Sequence, residues 1–463
     1  MDWKKLQQKI KGKVVTASEK NFDSVKSAMV WNQIKPNRSP QIIVTVQDDD
    51  DVVEAILFAR ANQLKVAVHG GGHTWCGLAV RNGGMTIDLS QLTESEINPK
   101  NQTAIIQPVI SNRDLANRLG EFDLAFPIGH CPTVKASGYL LNGGMSWNLS
   151  HWGLACRSVE AIDFITAEGK KVRASIDENS ELFWAARGCG PGMFAVATRF
   201  YLKCYSLPKS IMTSTYYYSL DNLEEVVAEV TQLGWDMPDI VELSIFLIQA
   251  PSQLQNVCQK FNNKLLMITA VAFGDSQEES VRALSFLERG DSVQHCLSKT
   301  INEPSSFSKL SDVSGETWPE NHRNLCENQC SLADPVEILM AMKDSFIQAP
   351  SNKSVIVFCQ STGGHNLVQS SNDMAFSMEG KSYGGIWSIW ENPEDDAKNI
   401  KWHQSTADVL HQFTNQHYIG ETDIVEDKHR VTHSYSKEKW QKLEQIRDQW
   451  DKDRVFFSFF DGL

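Results

Sequence analysis

The chain has 463 residues, enough for two or three domains with cores of their own. With 41% hydrophobic and 22% charged residues it is no disordered chain, and no apolar run reaches the ~18–20 residues of a membrane span. Lys plus Arg number 44 against 57 Asp plus Glu, a net charge of −13 that excludes nucleic acid or an anionic membrane as the main partner, since both need a basic face.

The opening MDWKKLQQKIKGK has no apolar h-region, so no secretory signal is read there. Ten cysteines without an export signal read as mostly reduced thiols, and the chain is expected to be cytoplasmic. Residues 3–10 and 25–31 have short helical patterns, and 41–46 is a buried strand. The carboxylates Asp48 to Asp51 suit a helix N-terminus, 52–62 continues as a helix, and 65–68 is again a strand. Strand, acidic cap, helix and strand make a βαβ-like opening. Runs at 85–89, 104–109 and 161–166 add short strands among clustered glycines, giving an α+β domain to about residue 206.

Beyond 206 the runs at 216–218, 240–248, 265–273, 354–360 and 386–390 read as strands. Those at 222–233, 280–287 and 335–346 read as helices, and the acidic 394–396 as a solvated helix start. Residues 288–334 are polar and carry no clear period. A second α+β domain with a broad antiparallel sheet covered by helices is expected.

Three glycine-containing segments carry the chemistry. In Val66-Ala-Val-His-Gly-Gly-Gly-His-Thr-Trp-Cys-Gly77 a strand ends in glycines whose successive N–H groups can cradle a pyrophosphate, although the spacing matches neither the dinucleotide fingerprint nor the P-loop. The plainer reading is a tight turn with a loop histidine, His73. In Ala125-Phe-Pro-Ile-Gly-His-Cys-Pro-Thr-Val134, Cys131 sits on a stiff turn beside His130, which can promote the reactive thiolate; an inert thiol is the alternative. Gly138-Tyr-Leu-Leu-Asn-Gly-Gly-Met145 follows it. In Glu181-Leu-Phe-Trp-Ala-Ala-Arg-Gly-Cys-Gly-Pro-Gly-Met-Phe-Ala-Val-Ala-Thr198 a helical run breaks into glycines and restarts as a strand.

In this order and spacing the three segments resemble the flavin-binding half of the berberine-bridge-enzyme-like flavoproteins of the vanillyl-alcohol-oxidase superfamily. The likeness extends through most of the chain: Pro40-Gln-Ile-Ile-Val and Asp51-Val-Val-Glu-Ala-Ile-Leu-Phe-Ala-Arg60 resemble the opening strand and helix, Tyr418-Ile-Gly-Glu-Thr-Asp423 a C-terminal strand, and 440–456 the closing helix. The resemblance implies an α+β fold with a two-part PCMH-type FAD-binding domain. It divides the chain into 1–206 for FAD, 207–415 for the substrate, and 416–463 returning to the FAD domain.

His73 falls on the family's histidine bonded to the 8α-methyl of FAD, and Cys131 on the cysteine attached to ring carbon 6, so bicovalent FAD is implied. Gly70, Gly71, Gly72 and Thr74 would hold the pyrophosphate, and Thr133, Gly138, Gly143, Gly144, Gly192 and Val196 would line the cofactor. Val134 occupies the oxygen-gating position. A valine there resembles members that react with dioxygen, which favours an oxidase releasing hydrogen peroxide from an alcohol, sugar or secondary-metabolite substrate. The alternatives are a dehydrogenase of the same fold and a flavin-binding protein with degraded catalysis.

Departures from the family pattern are Lys135 and Ser137 in place of glycines, Asn142 in place of the first of three glycines, Gly385 where a Gln or Glu is usual, and Gly420 and Glu421 for an Asn and an aromatic. Glu421 becomes the preferred base, with Tyr418 and Tyr383 as rivals; a salt-bridged strand residue is the plain reading of Glu421. Two weaker patterns remain. His322, Cys326 and Cys330, spaced by four, would share one face of a helix, but no fourth metal ligand stands nearby, and no metal is expected. Trp318, Trp387 and Trp390 offer an aromatic platform, with Trp387 and Trp390 on opposite faces of a strand.

Overall fold

The computed structural model describes residues 1–360 and 371–463. Short β-branched runs build the first layer: β1 (Lys13–Thr16), β2 (Ile42–Thr45), β3 (Val66–His69) and β4 (Met85–Asp88), in the order β1-β2-β4-β3. β4 lies parallel between β2 and β3, so the expected βαβ unit is present with a third strand inserted. Its helix, Asp49–Ala61, starts on Asp48, whose side chain accepts from the Asp50 and Asp51 N–H groups at 3.0 Å each. The chain end returns to this sheet. The Val66 N–H donates to the Val455 carbonyl at 2.7 Å, and the Phe457 N–H donates to the Val66 carbonyl at 3.0 Å.

Next come β5 (Ser95–Asn98), β6 (Thr103–Ile106), the two-residue β7 (Leu124–Ala125), β8 (Val159–Thr166), β9 (Lys171–Ser175) and β10 (Ala195–Lys203). These give an antiparallel sheet ordered β5-β6-β10-β8-β9, while β7 pairs with β11 (Tyr205–Ser206).

The third sheet holds β12 (Ser210–Tyr218), β13 (Val241–Gln249), β14 (Lys264–Gly274), β15 (Ser298–Ser305), β16 (Arg323–Ser331), β17 (Val355–Gln360) and β18 (Ser382–Trp390). All its neighbours are antiparallel, in the order β15-β12-β14-β13-β17-β18-β16. Period-two alternation gives it two distinct faces. Leu243, Ile245 and Leu247 of β13, with Leu266, Ile268 and Ala270 of β14, pack under the helices Leu223–Gly234, Pro335–Ile347 and Asp396–Leu410. Glu242, Ser244 and Phe246 face the opposite way, into a cavity.

Three expectations change. The unassigned stretch 288–334 holds β15, the helix Phe307–Thr317 and β16. β15 is an exposed polar edge strand and β16 a polar strand buried continuously from Cys326 to Ser331, so neither alternates over its length. Cys326 and Cys330 lie on β16 rather than on a helix. Four residues along a strand span about 13 Å, too far to share an ion, and no metal-binding cluster occurs among the described residues. Residues 418–423 form a turn, not a strand: the Glu421 and Thr422 N–H groups both donate to the Tyr418 carbonyl, at 3.1 and 3.2 Å. Among the described residues no helix is long and apolar enough to cross a membrane.

Candidate active site

The loop after β3, segment 129–139, the open face of the seven-stranded sheet and the 418–421 turn enclose one cavity of about 640 Å3. Its first wall is the glycine loop. Among the described residues, none of the backbone N–H groups from Gly70 to Thr74 donates a hydrogen bond. Gly72 has φ +67°, and a Cβ there would sit 2.2 Å from the Met29 carbonyl oxygen, so the loop keeps its shape only with glycine. A row of unpaired N–H groups lining a cavity is an anion-binding surface.

Lys135 and Ser137, the two departures from glycine, cover this loop. A Cβ on Gly71 would meet Lys135 Cγ at 2.4 Å, and one on Gly70 would meet Ser137 Oγ at 2.5 Å. Lys135 has no carboxylate partner among the described residues, so it adds an uncommitted positive charge beside the loop.

His73 stacks on Trp31, with ring centroids 4.9 Å apart, and its Nε2 lies 2.9 Å from Thr133 Oγ1. Burial, then Lys135, pulls the imidazole down to about 3, so it is neutral at physiological pH. Cys131 Sγ is 3.7 Å from the same Thr133 hydroxyl. Burial raises the thiol, while the Thr133 N–H and hydroxyl and the Val134 N–H oppose that rise. The group turned to the Cys131 sulfur is therefore Thr133 and not the neighbouring His130, which is engaged elsewhere.

Gly138 and Val134 also border the cavity. Gly143, Gly144, Gly192 and Val196 stand behind its wall. A Cβ added at these three glycines would run into Phe376, into Ala155 and Tyr139, and into Phe459 respectively, and Val196 is fully buried. On β10 the residues that reach the cavity are Ala195 and Ala197, one step either side of Val196, because alternate residues of a strand face opposite ways. Gly190 and Met193 take the place foreseen for Gly192.

On the opposite wall Glu421 accepts a hydrogen bond at Oε2 from the Tyr383 hydroxyl. Burial raises its carboxyl, with Tyr383 and His130 opposing. The Tyr383 and Tyr418 rings meet edge to face at 5.9 Å, and burial raises the Tyr418 hydroxyl, with the Gly144 and Met145 N–H groups opposing. The turn carrying Tyr418 and Glu421 is clamped by Asn328 of β16: its Oδ1 accepts from the Tyr418 N–H at 2.8 Å and its Nδ2 donates to the Tyr418 carbonyl at 3.4 Å. Gly385 has no room for a side chain, since a Cβ would lie 2.0 Å from the Glu327 carbonyl oxygen. The carboxylate beside Tyr383 thus comes from the turn and not from β18.

The sequence reading missed Glu242. Its Oε1 accepts from His130 Nε2 at 2.6 Å and its Oε2 from the Asn148 N–H at 3.1 Å. Burial disfavours the charged imidazole, but the Glu242 carboxylate outweighs it and raises His130. Alternation along β13 marks only which face Glu242 occupies, and nothing local in the sequence pairs it with His130. Trp318 and Trp387 meet edge to face at 5.8 Å in the cavity wall, whereas Trp390 turns away and donates from Nε1 to Asp396 Oδ1 at 2.7 Å.

An FAD-sized ligand fits these walls. The N–H groups of the glycine loop are unpaired, and Asn142 Oδ1, in the cavity wall, is buried without a partner. Residues 40–175 match the family model described as an FAD binding domain. The FAD-linked oxidoreductase nodO of Hypoxylon pulicicidum is 26% identical over 422 residues, 91% of each chain. A solved 6-hydroxy-D-nicotine oxidase from Arthrobacter nicotinovorans superposes with TM-score 0.82 at 20% identity, covering 96% of each chain. The pollen protein Phl p 4 has the same fold. Its wild type (TM-score 0.79, 15% identity) is a glucose dehydrogenase and an isoleucine-to-valine variant (0.80, 16%) a glucose oxidase, each covering 99% of this chain and 98% of its own. The family match and the cavity beside it define an FAD-binding domain within residues 40–175. Over nine-tenths of its length the chain is similar to FAD-linked oxidoreductases, and its fold is that of the solved berberine-bridge-enzyme-like proteins.

Proposed function

We propose that this enzyme is an oxidase whose FAD is attached at both His73 and Cys131, that residues 1–206 and 416–463 form its flavin-binding part, and that 207–415 form its substrate-binding part. When bound, FAD supplies the acceptor for two electrons from a substrate C–H, which dioxygen then removes as hydrogen peroxide. The Gly70–Thr74 amides and Lys135 would hold the pyrophosphate. His73, neutral and stacked on Trp31, and Cys131, faced by amides and a hydroxyl, offer the two nucleophiles.

Glu421 is the base for the substrate O–H or N–H proton. The observation that carries this is its place in the same cavity as the glycine loop, His73 and Cys131, with Tyr383 donating to Oε2 and Oε1 left to take the proton. Tyr383 orients this carboxylate. Tyr418, its hydroxyl raised by burial, shapes the wall beside it. Trp318, Trp387 and Phe246 exclude water from the substrate end and suit a small molecule with an apolar ring or face. Val134 keeps the approach to dioxygen open, in line with the isoleucine-to-valine change that separates the two forms of Phl p 4.

Acid precipitation tests the linkage: yellow pellets and a mass excess of one FAD are expected, and a colourless pellet would overturn it. A peroxide-coupled substrate screen, with air reoxidation followed by stopped flow, tests the oxidase.

A further inference from the structure

We infer that Thr133 is the positioning residue for both flavin-attaching nucleophiles: its hydroxyl accepts from the His73 ring and passes its own hydrogen towards Cys131. The inference rests on the proposed attachment of FAD to both residues. It deepens that proposal by naming the group that makes the two reactive.

Thr133 Oγ1 stands between them, 2.9 Å from His73 Nε2 and 3.7 Å from Cys131 Sγ. A hydroxyl has one hydrogen to give, so the direction of each contact matters. A thiolate sulfur can only accept, so the one hydroxyl hydrogen goes to Cys131 and the Thr133 oxygen is left to accept from the ring. The ring therefore carries its proton on Nε2. At the sulfur the hydroxyl hydrogen joins the Thr133 and Val134 N–H groups, which also oppose the rise of the Cys131 thiol.

Two results follow from this one arrangement. With Nε2 protonated and committed to Thr133, Nδ1 keeps its lone pair and is the ring nitrogen available to a carbon electrophile. At Cys131 the Thr133 hydroxyl supplies a donor that favours the thiolate, the form that attacks, against the burial that raises the thiol. No other side chain among the described residues hydrogen-bonds the His73 ring or the Cys131 sulfur.

The atoms balance for each bond. A C–H of FAD is replaced by C–N (8α-methyl, His73 Nδ1) or by C–S (ring carbon 6, Cys131). The nucleophile and the carbon each release one proton, and the electron pair of the broken C–H goes to dioxygen, which becomes hydrogen peroxide. At His73 the leaving proton is the one on Nε2, which Thr133 already holds.

The test uses full-length apoprotein reconstituted with FAD in air, as wild type, Thr133→Val and Thr133→Ser. Covalent incorporation is read by mass and by flavin fluorescence after acid precipitation. His73→Ala and Cys131→Ala backgrounds isolate each bond, and quenching of free FAD fluorescence reports non-covalent binding. Thr133→Val is expected to slow incorporation at both residues by at least about tenfold while still binding FAD, and Thr133→Ser to restore it. Histidine 15N shifts in the apoprotein should report the Nε2–H tautomer of His73 in wild type and mixed tautomers in Thr133→Val. Wild-type rates in Thr133→Val, or an Nδ1–H tautomer in wild type, would overturn the inference. A wild type that releases all its FAD in acid would overturn the attachment itself and this inference with it. Should Thr133→Val fail to fold, Thr133→Ser and the wild-type tautomer still decide.

Discussion

His130 Nε2 donates to Glu242 Oε1 across 2.6 Å, joining the segment that carries Cys131 to the middle of the seven-stranded sheet. Glu242 raises His130 despite burial, so the pair stabilises the fold fully at pH below the ordinary histidine value and loses that contribution as pH climbs through the raised one. Glu242→Gln should therefore cost about 2–3 kcal/mol near pH 6 and clearly less at pH 9. Thermal melts of both proteins across that range check it; an equal loss at both values would remove the ion pair as the cause.

Glu421→Gln should slow substrate reduction of the bound flavin by about 10²–10⁴-fold, the usual reach of a positioned base. Because burial raises this carboxyl, reduction in the wild type should fall as pH drops through a value above the ordinary glutamate range. Tyr383→Phe removes a donor that favours the charged form, so the same limb should move to higher pH. Stopped-flow bleaching of flavin absorbance against pH measures both effects.

Gly72→Ala should deplete bound FAD. The residue would have to hold φ +67°, about 1–2 kcal/mol unfavourable for an L-residue, with its Cβ 2.2 Å from the Met29 carbonyl oxygen. The glycine loop must then shift, and its N–H row with it. Flavin-to-protein absorbance ratios of the purified variant give the answer.

Val134→Ile adds one methylene at the cavity wall. Reoxidation of the reduced enzyme by air should slow by about tenfold, the scale of one methylene in a tight pocket, while reduction by substrate stays near normal. Loss of both half-reactions together would show that Val134 shapes the flavin site and not the approach of dioxygen.

The sequence already grouped the glycine loop, His73 and Cys131, which the structure brings to one cavity, because each lies in a segment whose turn chemistry is local. What escaped was set by partners distant in the chain. Val196 was read as lining the cofactor, while Ala195 and Ala197 border the cavity, because a strand alternates faces and the motif alone does not say which face is inward. Cys326 and Cys330 have the same spacing on helix and strand, yet only a helix brings them together. Glu421 was expected on a strand; Gly420 permits the turn that delivers it, a Cβ there meeting the Tyr418 ring at 2.9 Å. Glu242 and Asn328 belong to strands whose role emerges only when the large sheet closes over the glycine loop.

Asn328 shows what that closure controls. It is fully buried, and both ends of its amide are spent on the Tyr418 backbone, which fixes where Glu421 begins. Asn328→Ala would leave the Tyr418 N–H without its partner in a dry interior, at about 1–3 kcal/mol. The Tyr418 carbonyl would keep the Glu421 and Thr422 amides, so the turn should survive but wander. Melting temperature should fall, FAD content should hold, and flavin reduction should slow with its pH limb unchanged, since no charge near Glu421 is altered. A limb that moves with the mutation would mean that Asn328 acts on the carboxylate's protonation and not on its position.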